Sequence, residues 1–374
     1  MKFVDLDAQF NLVEKEIREA IDRVLVHKQF ILGPEVGVFE QELKAYCGVK
    51  HVISAASGTD ALLMALMAYG VGPGDGIIAP SFTFVATAEV IQLLGATTVF
   101  VDVDEATFNM DVARLEETIQ TVKGDRKLNL KGIIAVDLFG LPADHDIIQA
   151  IADQHGLFVV SDAAQSFGAE YKNKKAGVFG NIATTSFFPS KPLGCYGDGG
   201  AVFTDNQELA DIVESIRFHG KGHGKNGQYE NTRIGITGRL DTLQAAILSC
   251  KLKIFNQELD KRQVIADIYR RELNDVVITP TIPPGYKSSW SVYTIRSAKR
   301  DNIRRHFNKN GIPSAVYYPS PLHRQPAFKN ALGGGQMMPV TDRLADEVLS
   351  LPIHPYLQPD DQMKIIAAVK TAVG

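Results

Sequence analysis

Apolar residues follow two rhythms along this chain. Leu12, Val13, Ile17, Ile21, Val24 and Leu25 recur close to every 3.6 residues, which predicts an amphipathic helix over Asn11 to His27. From Ile53 onward, short apolar runs alternate with helical spacing. Strands are predicted at Ile77 to Pro80, Thr97 to Val101, Gly132 to Val136 and Leu157 to Ser161. Helices are predicted at Asp60 to Tyr69, Val85 to Leu94, Val112 to Val122 and Asp146 to His155. Short unbroken apolar runs are what a strand buried on both faces requires, and their alternation with helices is the pattern of a mostly parallel sheet sandwiched by helices.

Thr184 to Phe188 and Ala201 to Thr204 predict two further strands, and Gln207 to Phe218 another helix. Asp241 to Leu273 reads as one long helix that leaves the sheet. Past the Pro-Gly boundary at Thr279 to Gly285, a strand at Ser291 to Arg296 and helices near Asn302 to Lys309 and at Pro359 to Val373 predict a smaller α+β unit. The expected organisation is a large α/β domain over residues 1–240, then a connecting helix and small C-terminal domain over residues 241–374.

Composition narrows the class. With 374 residues, 45% of them hydrophobic and 22% charged, the chain can bury a large core and is neither disordered nor fibrous. A formal charge of -4 and a pI near 6.2 argue against a nucleic-acid surface, although Lys221, Lys225 and Arg233 form a local basic patch suited to a phosphorylated ligand. Cys47, Cys195 and Cys250 lack any C-x-x-C spacing, so neither a disulfide framework nor a zinc cluster is expected. No apolar run approaches the roughly 18 residues of a membrane span. A soluble cytoplasmic protein without nucleic-acid or membrane partners is expected. His219 and His223 are four apart, but Gly220, Gly222 and Gly224 spoil a helical pair of ligands, so no metal is expected.

The candidate chemistry lies in two segments. Lys191 sits in Ser186-Phe187-Phe188-Pro189-Ser190-Lys191-Pro192-Leu193-Gly194, ahead of a glycine-rich run that ends at Gly200. Asp162 closes the predicted strand Leu157 to Ser161, at the carboxyl end where open α/β sheets place ligands. A lysine amine can hold pyridoxal 5'-phosphate as a Schiff base, and the ring becomes a strong electron sink when a carboxylate keeps its nitrogen protonated. Lys191 and Asp162 supply that pair. Ser57-Gly58-Thr59-Asp60 lies between a strand and a helix, so the backbone N–H groups of Gly58 and Thr59 open a helix whose positive end favours the cofactor phosphate. Ser186 adds a hydroxyl. Phe84 is a candidate to stack on the ring, and Gln165 to bond its phenolic oxygen. The competing readings are structural: Asp162 and Ser57 as caps, Phe84 as a core residue, Gln165 as a turn cap, Ser186 as an ordinary strand serine.

Taken together, Gln29 to Val36, Ala56 to Leu62, Asp162 to Gly168, Ser186 to Gly200, Arg239 to Leu248 and Tyr317 to His323 resemble the DegT/DnrJ/EryC1/StrS sugar aminotransferases, pyridoxal phosphate enzymes of fold type I. The resemblance implies a large domain with a seven-stranded, mostly parallel sheet, and roles for Lys191 at the imine, Asp162 at the ring nitrogen, Gln165 at the phenolate oxygen, Gly58, Thr59 and Ser186 at the phosphate, and Phe84 on the ring. It implies a homodimer whose active sites borrow residues from the partner. One borrowed residue is commonly the asparagine of a G-x-N-x-R-L pattern; here Gly235 to Leu240 carries Thr237 instead, with shorter reach and one donor in place of two.

Within the family, Ser190 to Gly200 and Gly238 to Leu248 look most like enzymes that aminate C3 of UDP-2-acetamido-2-deoxy-3-keto-hexuronic acid for lipopolysaccharide. Arg239 then pairs with the substrate carboxylate, or alternatively forms a structural ion pair with Asp241 or another acid. Tyr317 and His323 are sugar-pocket candidates, or packing residues of a Pro-rich loop. The implied donor is L-glutamate, which leaves pyridoxamine 5'-phosphate before the nucleotide sugar enters. A 4-aminotransferase of 4-keto-6-deoxy sugar nucleotides and a catalytically silent cofactor-binding regulator are the alternatives.

Overall fold

The computed structural model describes residues 1–125, 127–222, 230–333 and 337–374; His223 and Lys225 therefore lie outside the described residues. Helices α1 (Leu6–His27) and α2 (Pro34–Cys47) precede β1 (His51–Ala55). Then follow α3 (Gly58–Ala68), β2 (Asp75–Pro80), α4 (Ala86–Leu93), β3 (Thr97–Val101), α5 (Val112–Asp125), β4 (Asn129–Val136), α6 (His145–His155) and β5 (Phe158–Asp162). A short hairpin, β6 (Glu170–Tyr171) with β7 (Lys174–Lys175), leads to β8 (Ile182–Ser186), β9 (Gly200–Thr204) and α7 (Gln207–Arg217).

Seven strands form the main sheet in the order β1-β9-β8-β5-β4-β2-β3. All pairs from β8 through β3 are parallel, and β9 runs antiparallel to both of its neighbours. The expected α/β class is found. Successive side chains of a strand face opposite ways, and here both faces are covered. Ile77, Ile134 and Val160 pack with residues of α3, α4 and α7. Ile78, Ile133 and Val159 pack with Leu115, Ile119 and Ile148 of α5 and α6. The parallel strands all end on one side, and β8 turns there through the Lys191 loop to return as β9.

The segment expected as one helix over Asp241 to Leu273 is two, α8 (Thr242–Leu252) and α9 (Phe255–Leu273). Their apolar faces have different partners. Ala246, Ile247 and Cys250 of α8 pack on Val13, Ile17 and Val24 of α1, whereas Ile265, Tyr269 and Leu273 of α9 join a C-terminal core. The break at Lys253 and Ile254 lets the chain serve both. That second core is completed by β11 (Tyr293–Arg296), α10 (Arg300–Lys309), β12 (Val348–Leu351) and α12 (Pro359–Val373), whereas β10 (Tyr286–Lys287) adds to β6 and α11 (Pro339–Glu347) sends Leu344 and Ala345 into the core of the large sheet. β11 and β12 pair antiparallel. Among the described residues, no helix is long and apolar enough to cross a membrane, and Cys47, Cys195 and Cys250 are free and buried.

Candidate active site

A cavity of about 460 Å³ opens at the carboxyl ends of the parallel strands. Its wall includes Gly58, Thr59, Phe84, Asp162, Gln165, Ser186, Lys191 and Tyr317. These residues come from five separate stretches of sequence, and the sheet's topology brings them together.

Asp162 ends β5 and is 5% exposed. One carboxylate oxygen accepts the Ala164 backbone N–H at 3.1 Å, the other the Thr87 hydroxyl at 3.1 Å. Burial raises its pKa against the opposing pull of these donors and of Lys191. The Lys191 amine responds in the other direction: burial lowers its pKa, and Asp162 only partly offsets this. Less of the lysine is held as ammonium, so its lone pair is more available to an aldehyde carbon.

Ser57 caps α3 by accepting the Asp60 N–H at 3.0 Å. The N–H groups of Gly58 and Thr59, at the first two helical positions, have no acceptor within the helix. Gly58 meets β8 so closely that a Cβ there would lie 2.6 Å from the Ser186 Cβ. Helix start and serine hydroxyl thus form one cradle for an anion. Gln165 commits its amide oxygen to the Phe139 N–H at 2.9 Å and gives one N–H to the Tyr318 hydroxyl at 3.2 Å. Its remaining N–H is free for an oxygen in the cavity. A core phenylalanine would be buried, but Phe84 is 52% exposed and lines the cavity just ahead of α4. An amine of reduced basicity, a buried carboxylate, an anion cradle, an amide donor and an aromatic wall fit pyridoxal 5'-phosphate.

Three of the expected residues are not in that wall. His323 is 1% exposed, with Nδ1 2.5 Å from the Ser81 Oγ. Its Nε2 is 3.2 Å from Asp342 Oδ1, within ion-pair distance. Both contacts lie outside the cavity wall. Arg239 makes no ion pair with Asp241 among the described residues; its guanidinium lies 4.8 Å from the Phe218 ring centroid, and its buried Nε has no hydrogen-bond partner. Thr237 is exposed and bonds His219 Nε2 at 2.9 Å.

The reading from sequence missed Tyr318, Thr87, Thr83, Ser190 and Asp198, along with Phe3 and Val4, which cover the cavity from the N-terminal segment. Tyr318 and Ser190 had a signal, since each adjoins a residue already chosen. Phe3 and Val4 had none.

Fold and cavity define a class, the pyridoxal phosphate enzymes of fold type I. The pattern of the DegT/DnrJ/EryC1/StrS aminotransferase family matches residues 11–370, and the chain belongs to that family of pyridoxal phosphate-dependent sugar aminotransferases. A Pseudomonas aeruginosa relative, UDP-2-acetamido-2-deoxy-3-oxo-D-glucuronate aminotransferase, is 46% identical over 372 residues, 99% of either chain. The crystal structure of a DegT DnrJ EryC1 StrS aminotransferase from Brucella abortus matches with a TM-score of 0.97 at 49% identity over 100% of both chains. That of S. venezuelae DesV in complex with a ketimine intermediate matches at 0.93, with 35% identity over 100% of this chain and 98% of its own.

Proposed function

We propose that this aminotransferase moves an amino group from L-glutamate to C3 of UDP-2-acetamido-2-deoxy-3-keto-hexuronic acid, in the cytoplasm, for a surface polysaccharide. The likeness to the Pseudomonas aeruginosa enzyme over 99% of either chain supports the substrate. The observation that carries the mechanism is that the half-buried Lys191 and the buried Asp162 carboxylate line one cavity, close enough for their charges to interact. When bound, the cofactor supplies the electron sink and carries the amino group between two half-reactions.

The chain's own residues do the rest. Lys191 Nζ holds the cofactor, and once displaced by the donor it moves the proton at the donor's α-carbon. The Asp162 carboxylate holds the proton on the ring nitrogen. Gly58, Thr59 and Ser186 bind the phosphate, Gln165 directs an N–H to the ring oxygen, and Phe84 covers one ring face. Tyr317 borders the space left for the sugar. Arg239 and Thr237, which lie outside their own chain's cavity, serve the site of a second copy in a homodimer, where Arg239 meets the substrate carboxylate. We also propose the two-lobe organisation, with the crossing carried by α8, on the N-terminal helices, and α9, in the C-terminal core.

Borohydride reduction of the holoenzyme followed by peptide mapping should label Lys191, and Lys191→Ala should lose about 100- to 10,000-fold in amino transfer. Label at another residue, or an active Lys191→Ala, would sink the mechanism. Turnover of a 4-keto-6-deoxy sugar nucleotide in preference to the 3-keto uronate would overturn the substrate.

A further inference from the structure

Behind the cavity wall lies a buried polar cluster that the chemistry above does not use. Asp137 follows the last residue of β4, next to Asp162 at the end of β5, and is 0% exposed. Its carboxylate accepts three donors: the Ala143 N–H at 2.9 Å, His145 Nε2 at 2.7 Å and the Ser166 hydroxyl at 2.7 Å. Its own backbone N–H donates to the Asp162 carbonyl at 3.1 Å. His145, 4% exposed, stacks on Phe179 at 4.5 Å, and its Nδ1 has no partner. A carboxylate can only accept, so the hydrogen bonds run one way, from histidine, serine and amide into Asp137.

The turn that begins at Asp137 is tied to the turn at Asp162 to Ser166 at a second point. Phe139 gives its N–H to the Gln165 amide oxygen. Asn109, itself 4% exposed, clamps the same turn by accepting from Leu138 N–H at 2.8 Å and donating to the Leu141 carbonyl at 2.9 Å. Gln165 therefore owes the direction of its amide to a neighbouring turn. If the two turns separate, the amide can rotate, and an oxygen that repels another oxygen replaces the N–H donor.

We propose that Asp137, with Ser166 and His145, is a positioning group: it locks the two turns together so that Gln165 presents its N–H, and not its amide oxygen, to the ring oxygen of the cofactor. The inference rests on the cofactor placement of the preceding subsection. Asp137 is not part of the cavity wall. It reaches the ring oxygen through Gln165, and its charge also helps to raise the pKa of Asp162, an effect that Ser166→Ala leaves in place.

Ser166→Ala removes one hydrogen bond and little volume; Asp137→Asn keeps the shape but cannot accept all three donors. Each is to be purified without cofactor, tested for thermal stability, then titrated with pyridoxal 5'-phosphate while the visible absorbance is recorded. The expected result in both variants is a displaced absorbance maximum and a dissociation constant raised about fivefold to tenfold, the worth of one misdirected hydrogen bond. If Asp137→Asn does not fold, Ser166→Ala decides alone. Unchanged band and affinity, or a lower melting temperature with an unchanged band in the folded protein, would overturn the proposal while leaving the cofactor placement intact. Failure of the unsubstituted protein to give a visible band would overturn both.

Discussion

The fate of a buried lysine depends on its partners. Lys191 has a carboxylate nearby in an open cavity, and its lowered pKa suits the imine role proposed for it. Lys251 is 0% exposed, donates to the Gly194 carbonyl in the same loop, and lies 4.6 Å from the Tyr196 ring centroid. Burial lowers its pKa to about 8, with Glu258 opposing. Between that value and the ordinary 10.5, the unfolded chain holds a proton that the folded chain has released, so folding stability rises with pH across this window. Below pH 8, the full cost of the buried charge is present. Lys251→Met should therefore gain on the unsubstituted protein at pH 7, and lose that advantage by up to about 1.4 kcal/mol per pH unit as the pH climbs. Urea unfolding at a series of pH values measures it; a flat difference between the two proteins would show that Lys251 titrates normally.

At the scale of elements, the sequence was legible wherever one periodicity persisted. β3 and α12 were found with the bounds expected, and the strands expected at β2, β4, β5, β8 and β9 within a few residues. Failures came where one element runs straight into the next or its apolar stripe is thin. α11 passes into β12 without a turn residue between Glu347 and Val348, and α2, although Pro34 opens it and Gly48 closes it, buries only the narrow stripe Val36, Phe39, Leu43 and Cys47. The α8–α9 break likewise reflects what each helix packs against. The same reasoning makes the α3–β8 contact testable. In Gly58→Ala, the new methyl must push the helix start away from Ser186, an overpacking that costs about 1–3 kcal/mol. Lower stability in urea and weaker binding of pyridoxal 5'-phosphate are expected together; an unchanged affinity would mean that the cradle does not hold the phosphate.

For the whole molecule, the exposed apolar residues Val26, Phe30, Ile31 and Ile234, with the displacement of Arg239 and Thr237 from their own cavity, agree with a site completed by a second copy. Refolding Lys191→Ala together with Arg239→Ala tests this. In a mixed dimer, one site keeps the lysine of one chain and the arginine of the other, so about a quarter of normal activity should return when the two are mixed equally. No recovery would place Arg239 outside a shared site.

Most of the order of strands and helices, and the proposal of Lys191 with Asp162 as its partner, came from the sequence itself. Each is written in a local pattern: an apolar period, a glycine-rich loop, an acid at a strand's end. Only the tertiary structure decided that His323 packs behind Ser81, that Phe3, Val4 and Tyr318 reach the cavity, and that Asp137 holds the turn beneath Gln165. These facts depend on which strand ends become neighbours across the sheet, and no spacing along the chain encodes that adjacency.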